Sequence, residues 1–268
     1  MSVIVHRPAA PASALLVDIG NTTIGMASWY EGRIHPFRQL SLEELEQEPA
    51  WLSQAWNDLP EGSERFVVTS SVSPPRYDAF ARLVARHCDE TDPVLIGRDI
   101  EAPIRANVPA PDKVGTDRLC SAAAAHQVAR GACVVASFGT ALTIDLVSDD
   151  AVFMGGAILP GMATAARALH EHTALLPDVV VTRPGEPWGT STVEAIRVGV
   201  FCGLVGALRE ITERYATRIG KWPMLILTGG DAPAIADMAD FTDRVIPDLC
   251  LRGVALAFEK ALHDAAPR

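Results

Sequence analysis

The sequence predicts an α/β protein of two halves in which one strand–turn–strand unit is used twice. Three observations carry this. ALLVDI (14–19) reads as a buried strand running into a glycine turn, and CVVAS (133–137) does the same. Each turn is followed by further strands: TIGMASWY after the first, then ALTIDLV (141–147) and AVFMGGAIL (151–159) after the second. Helical spacing recurs between the strands, at 74–88, 117–130 and 190–219. The copies share few letters, so the architecture is the signal. Halves of this kind, facing each other across a cleft, would bring both turns to one nucleotide.

Along the chain, the second run, TIGMASWY, is followed by RIHPFRQL, with Glu31-Gly32 as a hairpin signal between them. Residues 40–57 carry helical spacing with Ser41 as N-cap and Pro49 as an interruption. RFVVTSSV (65–72) and PVLIG (93–97) read as strands around the helix at 74–88, where Phe80, Leu83, Val84 and His87 share a side. The stretch 98–115 holds Pro103, Pro109 and Pro111 and reads as the boundary loop. Gly131 is the expected stop of the helix at 117–130. MLILTGGDAP (224–233) is a strand with a glycine turn, and 251–262 a final helix. Gly199, Gly203 and Gly206 lie along the long helix. They either admit a second helix, as in a dimer, or pack inside the monomer.

Composition narrows the classes of function. The chain has 268 residues, 49% of them hydrophobic, enough for one large globular unit or two compact domains. A formal net charge of -10 is the wrong sign for a nucleic-acid surface. The 5 cysteines are scattered without a CxxC pair, as expected for reduced thiols in a cytoplasmic protein. Residues 1–13 read as a loose tail, because His6, Arg7, Pro8 and Pro11 interrupt any signal-peptide core. No stretch approaches about 18 uninterrupted apolar residues, so no membrane span is expected.

Four segments are candidates for chemistry. In Asp18-Ile19-Gly20-Asn21-Thr22, a carboxylate at a strand end can hold Mg²⁺ through water. Gly20 lets the backbone approach phosphate oxygens, and Asn21 and Thr22 supply donors. The same residues also make an ordinary hairpin turn. The second segment, Ser137 to Thr143, offers Gly139 and Thr140 to outer phosphates. The third, Thr228-Gly229-Gly230, suits approach to a base or ribose. In the fourth, Gly115-Thr116-Asp117-Arg118, Asp117 is either a helix N-cap or a proton acceptor beside a charge clamp. The helix N-terminus and Arg118 are expected to keep it ionised. A P-loop pattern and a G-x-S-x-G elbow are both missing. His170-Glu171-His172 lacks metalloprotease spacing and reads as a solvated helix end.

LLVDIGNTT (15–23), VGTDRLCSAAAA (114–125), FGTALTIDLV (138–147), GGAILPGMATAARALHEHTALLP (155–177), GTSTVEAIRVGV (189–200) and LTGGDAP (227–233) together resemble type III pantothenate kinases. That family belongs to the acetate/sugar kinase, heat-shock ATPase and actin superfamily. The resemblance runs from about residue 14 to 260. It implies duplicated RNase H-like, actin-like ATPase domains over 14–112 and 113–268, the second carrying dimerisation helices. It also implies ATP-dependent phosphorylation of pantothenate to 4′-phosphopantothenate, the first step towards coenzyme A, by a cytoplasmic, Mg²⁺-using homodimer.

Carried over by position, Asp18, Ile19, Gly20, Asn21, Thr22 and Thr23 form the first phosphate motif. Gly115, Thr116, Asp117 and Arg118 contact pantothenate, with Asp117 as base. Gly139 and Thr140 contact ATP, and Thr192 reaches the substrate, often from the partner subunit. Two positions depart from the family. Ser137 stands where relatives keep an Asp that helps hold a monovalent cation, so the expectation of K⁺ or NH4⁺ weakens. Val108 stands where a Tyr commonly faces the substrate. A kinase of the same superfamily with another hydroxylated substrate, and a non-catalytic relative, are the alternatives.

Overall fold

A computed structural model describes residues 10–265, which divide into two units: 10–124 with 248–265, and 125–247.

The first unit opens with β1 (Ala12–Ile19), β2 (Thr23–Tyr30), β3 (Arg33–Ile34) and β4 (Arg38–Ser41). Then come α1 (Leu42–Gln47), α2 (Ala50–Asn57), β5 (Glu64–Ser71), α3 (Pro74–His87), β6 (Val94–Leu95) and the two-residue β7 (Arg105–Ala106). α4 (Thr116–Ala129) follows. Ser41 caps α1 in a capping box with Glu44, as its place before LEEL suggests. The sheet order is β3-β2-β1-β5-β6, with β4 also on β2. β1 is antiparallel to β2 and parallel to β5. It is a central strand covered on both faces, which explains its unbroken apolar run. Ala14 and Leu16 enter one core, and Leu15, Val17 and Ile19 the other, packed under α1, α2 and α3.

The second unit contains β8 (Cys133–Phe138), β9 (Ala141–Val147), β10 (Val152–Pro160), α5 (Met162–Glu171), α6 (Thr192–Ile219), β11 (Met224–Thr228), α7 (Ala232–Ala236) and β12 (Arg244–Val245). Its strands run β10-β9-β8-β11-β12. β8 is antiparallel to β9 and parallel to β11. This is the order of the first sheet, element for element, so the repeat inferred from two turns extends to five strands. Val134, Ala136 and Phe138 pack with Phe201, Leu204 and Leu208 of α6. Ser191 and Glu194 form the capping box that starts α6, and Gly220, at φ 76, ends it. A Cβ on Gly199, Gly203 or Gly206 would meet nothing within 4 Å, so intramolecular packing does not account for them.

α8 (Leu249–Asp264) then returns to the first unit. Its Leu251, Val254, Ala255 and Phe258 complete the core over Ala14 and Leu16. The sequence placed the division at 112/113 and gave all that follows to the second half. The structure differs because α8 and the start of α4 share the first unit's core. A Cβ on Gly253 would fall 2.0 Å from the Cys120 carbonyl oxygen, so this close contact between α8 and α4 requires glycine.

Three smaller expectations also change. Ala12 and Ser13, assigned to the tail, belong to β1: Ser13 is fully buried and its Oγ lies 2.7 Å from Ser63 Oγ. Residues 1–9 of that tail lie outside the described residues. The left-handed residue that ends α4 is Arg130, at φ 53, before Gly131 is reached. No described helix is long and apolar enough to cross a membrane.

Candidate active site

In the first unit, Asp18 is the penultimate residue of β1, paired with Gly25 on β2 and Ser70 on β5. Its Oδ1 is buried and has no hydrogen-bond partner. Burial pushes its pKa from 3.8 up to about 7, and the negative charge of Asp117 adds to the rise. Only the Cys250 thiol, hydrogen-bonding the carboxylate, works the other way. A buried carboxylate oxygen with no donor, in a group that feels the charge of a second carboxylate, is an arrangement that a cation satisfies.

The turn after Asp18 is shaped by its own backbone. The Gly20 N–H donates to the Thr23 carbonyl at 3.0 Å, leaving Asn21 and Thr22 exposed at the tip. Ile19 is fully buried, so only its backbone is available to a ligand. The Thr23 hydroxyl accepts from Gln39 Nε2 at 2.8 Å. Arg76 donates from Nη2 to the Thr22 carbonyl at 3.1 Å.

The Gly115–Arg118 segment lies in the same unit. Thr116 fastens the start of α4 to the end of β5: its Oγ1 lies 2.9 Å from Ser70 Oγ and accepts from the Ser71 N–H at 3.2 Å. Asp117 sits inside the first turn of α4 and does not cap it. Its Oδ1 accepts the Arg118 N–H at 2.8 Å. A Cβ on Gly115 would lie 2.5 Å from that oxygen, so glycine there makes room for the folded-back carboxylate. Burial raises the Asp117 pKa, outweighing the Arg118 N–H and charge. Arg118 and its N–H do act in the expected sense, favouring the ionised form, but desolvation is the larger effect.

In the second unit, Ser137 is penultimate in β8, paired with Thr143 on β9 and Thr228 on β11. Gly139 and Thr140 form the exposed tip, with the Gly139 N–H on the Ala141 carbonyl at 3.1 Å. The two glycine turns meet here. Gly229, at φ 94, presses on Phe138, whose carbonyl oxygen would lie 2.2 Å from an added Cβ. Gly161 closes from the other side, with its N–H on the Thr140 carbonyl at 3.0 Å, and the Thr164 hydroxyl donates to the same carbonyl at 2.6 Å. Gly230 is exposed. Thr192 is the exposed first residue of α6. His170-Glu171-His172 ends α5, exposed as expected.

Two neighbours of the first turn escaped the sequence reading. Cys250 read as an inert thiol and Arg76 as one residue of a helix; neither has a local signal, since both reach the turn through the fold.

A family model for type III pantothenate kinase matches residues 14–214. A Dehalococcoides mccartyi protein called type III pantothenate kinase is 33% identical over 252 residues, covering 91% of this chain and 96% of its own. A Rhodospirillum rubrum protein of the same name is 33% identical over 259 residues, covering 93% and 99%. Among solved structures, a Campylobacter jejuni protein described as a Baf family transcriptional activator superposes with TM-score 0.58 at 19% identity, covering 93% of this chain and 98% of that one. The ethanolamine utilization protein EutJ of Carboxydothermus hydrogenoformans does so with TM-score 0.54 at 14% identity, covering 93% and 91%. These two likenesses concern the fold alone. A fold repeated strand for strand, a carboxylate at each of two family motifs, and a match along most of both chains agree: this chain belongs to the type III pantothenate kinase family, enzymes that phosphorylate pantothenate on the way to coenzyme A.

Proposed function

We propose that the enzyme works as a cytoplasmic homodimer on Mg-ATP and pantothenate, with Asp18 as the metal-side carboxylate and Asp117 as the base. The observation that supports this is the buried Asp18 Oδ1 left without a donor, in a carboxylate that feels the charge of Asp117, itself buried. Bound Mg²⁺, held by Asp18 through water, would neutralise charge on the phosphates.

Asn21, Thr22 and the backbone from Gly20 to Thr23 hold phosphate oxygens. Gly139, Thr140, Gly229 and Gly230 contact the nucleotide. Arg118 clamps the pantothenate carboxylate, and Gly115 and Thr116 fix the position of Asp117. One Asp117 oxygen is occupied by the Arg118 N–H. The other takes the proton from the primary hydroxyl of pantothenate. The hydroxyl oxygen then bonds the γ-phosphorus, and the bond from that phosphorus to the β–γ bridging oxygen breaks, releasing ADP. A base with a raised pKa accepts this proton more readily near neutral pH.

Thr192 reaches the substrate of the partner subunit. A dimer is supported by the open space beside Gly199, Gly203 and Gly206, and by exposed Met154 and Ile158 on β10. With Ser137 in place of a carboxylate, K⁺ and NH4⁺ are not required.

The test is purified protein with Mg-ATP and pantothenate, with and without potassium, reading ADP release and product mass, alongside Asp117→Asn. Turnover in both salts, lost in the variant, is expected. A folded Asp117→Asn protein at full rate would remove Asp117 as the base.

A further inference from the structure

We infer that Arg76 is a positioning residue for the nucleotide phosphates, acting through the carbonyl of Thr22 and presenting its guanidinium to the turn. This rests on reading Asp18–Thr22 as a phosphate grip.

The placement follows from the strands. β5 runs parallel to β1 with Ser71 beside Ile19, and the Val72 N–H donates to the Ile19 carbonyl at 3.3 Å. The chain leaving β5 therefore passes alongside the turn. Pro74 and Pro75 start α3 at once, because their missing N–H groups cost nothing in a first helical turn. The next residue, Arg76, is thereby brought to the turn, 54 positions from the carbonyl it binds.

Arg76 is poorly explained as a surface cation. Its Nη2 holds the Thr22 carbonyl at 3.1 Å, fixing the plane of the Thr22–Thr23 peptide. Its Nε is buried with no partner. A guanidinium carries five N–H donors in a planar fork. A buried guanidinium N–H left without an acceptor is unfavourable, and its group calls for one. The acceptor chemistry that suits this fork is a phosphate oxygen. Charge points the same way. The turn lies beside Asp18, which senses Asp117, in a chain of formal net charge -10. A polyphosphate entering such a field needs a fixed cation.

The experiment compares Arg76→Ala, Arg76→Lys and Asn21→Ala. It varies each substrate separately, measures inhibition by inorganic triphosphate and by adenosine, and records melting temperatures. Arg76→Ala is expected to raise KM for ATP about tenfold and weaken triphosphate inhibition by as much, as for loss of a charge-assisted contact. KM for pantothenate, adenosine inhibition and melting temperature should stay put. Arg76→Lys should lie between, near threefold, since it keeps the charge and loses the fork. An unchanged KM for ATP in Arg76→Ala, with a raised one in Asn21→Ala, overturns the role of Arg76 and leaves the grip standing. Unchanged values in both overturn the grip, and this inference with it. A lowered melting temperature with both KM values raised together would make Arg76 a structural clasp and also overturn it.

Discussion

β1 and β8 are the same element in two settings. Each is the centre of five strands in matching order, each has an antiparallel neighbour reached through a glycine turn, and each has a parallel neighbour on its other side. The penultimate residue is Asp18 in one and Ser137 in the other. The first turn stands on a buried carboxylate and is held by a side chain, Arg76. The second stands on a hydroxyl and is held by glycines, Gly161 and Gly229, whose backbones close on it. Topology repeats because packing dictates it; chemistry does not, since one side chain at a strand end is free to change without disturbing the sheet.

The largest effect expected tests the charged side. Asp117→Asn should lower kcat by about 10²–10⁴ with little change in melting temperature. A loss under threefold would break the asymmetry.

Next comes the cost of burying charge. Between pH 3.8 and about 7 the folded chain keeps a proton on Asp18 that the unfolded chain has released. The native state thus binds more protons there, and stability falls as pH rises through the window, by an amount on the order of a few kcal/mol. Asp18→Asn should flatten this slope, raise the melting temperature at pH 8 without Mg²⁺, and abolish turnover. Urea unfolding at several pH values checks it. An unchanged slope would mean that Asp18 is solvated.

Glycine substitutions sharpen the contrast in how the turns are built. Gly229→Ala should destabilise by about 2–4 kcal/mol, from positive φ and collision with Phe138. Gly20→Ala, whose Cβ would stand 3.2 Å from the Thr23 carbonyl oxygen, should cost about 1 kcal/mol or less. Equal costs would show that both turns are backbone-locked.

The smallest effect expected is a gain. Ser137→Asp should introduce potassium stimulation of a few-fold at most, on the scale of one partly solvent-screened charge interaction. Assays in sodium and potassium salts read it, and no difference would show that the hydroxyl position takes no cation.

Much of this was legible in the sequence, for local reasons. Apolar runs mark β1, β5, β8 and β11 because both faces of a central strand are covered. Ser41 and Ser191 announce helices because a hydroxyl there satisfies an otherwise unpaired N–H. Asp18 and Asp117 could be named as candidates, and the family motif gave them roles. Their proximity, and the rise in both pKa values, depends on burial that no local pattern encodes. Arg76 and Cys250 were invisible for the same reason. The apolar face of α8 was plain, but an apolar face does not say which core it will fill.

That last helix carries a consequence for how the molecule is made. The second unit is a continuous stretch, 125–247, whose contacts are complete once it has been synthesised. The first unit begins the chain yet closes only with α8, whose Leu251 and Phe258 cover Ala14 and Leu16. Contacts so distant in sequence form late, after a long loop has been closed. One face of the strand that bears Asp18 therefore depends on α8 for its cover. The buried setting of Asp18 is thus completed by residues of α8, which follow the whole second unit in sequence.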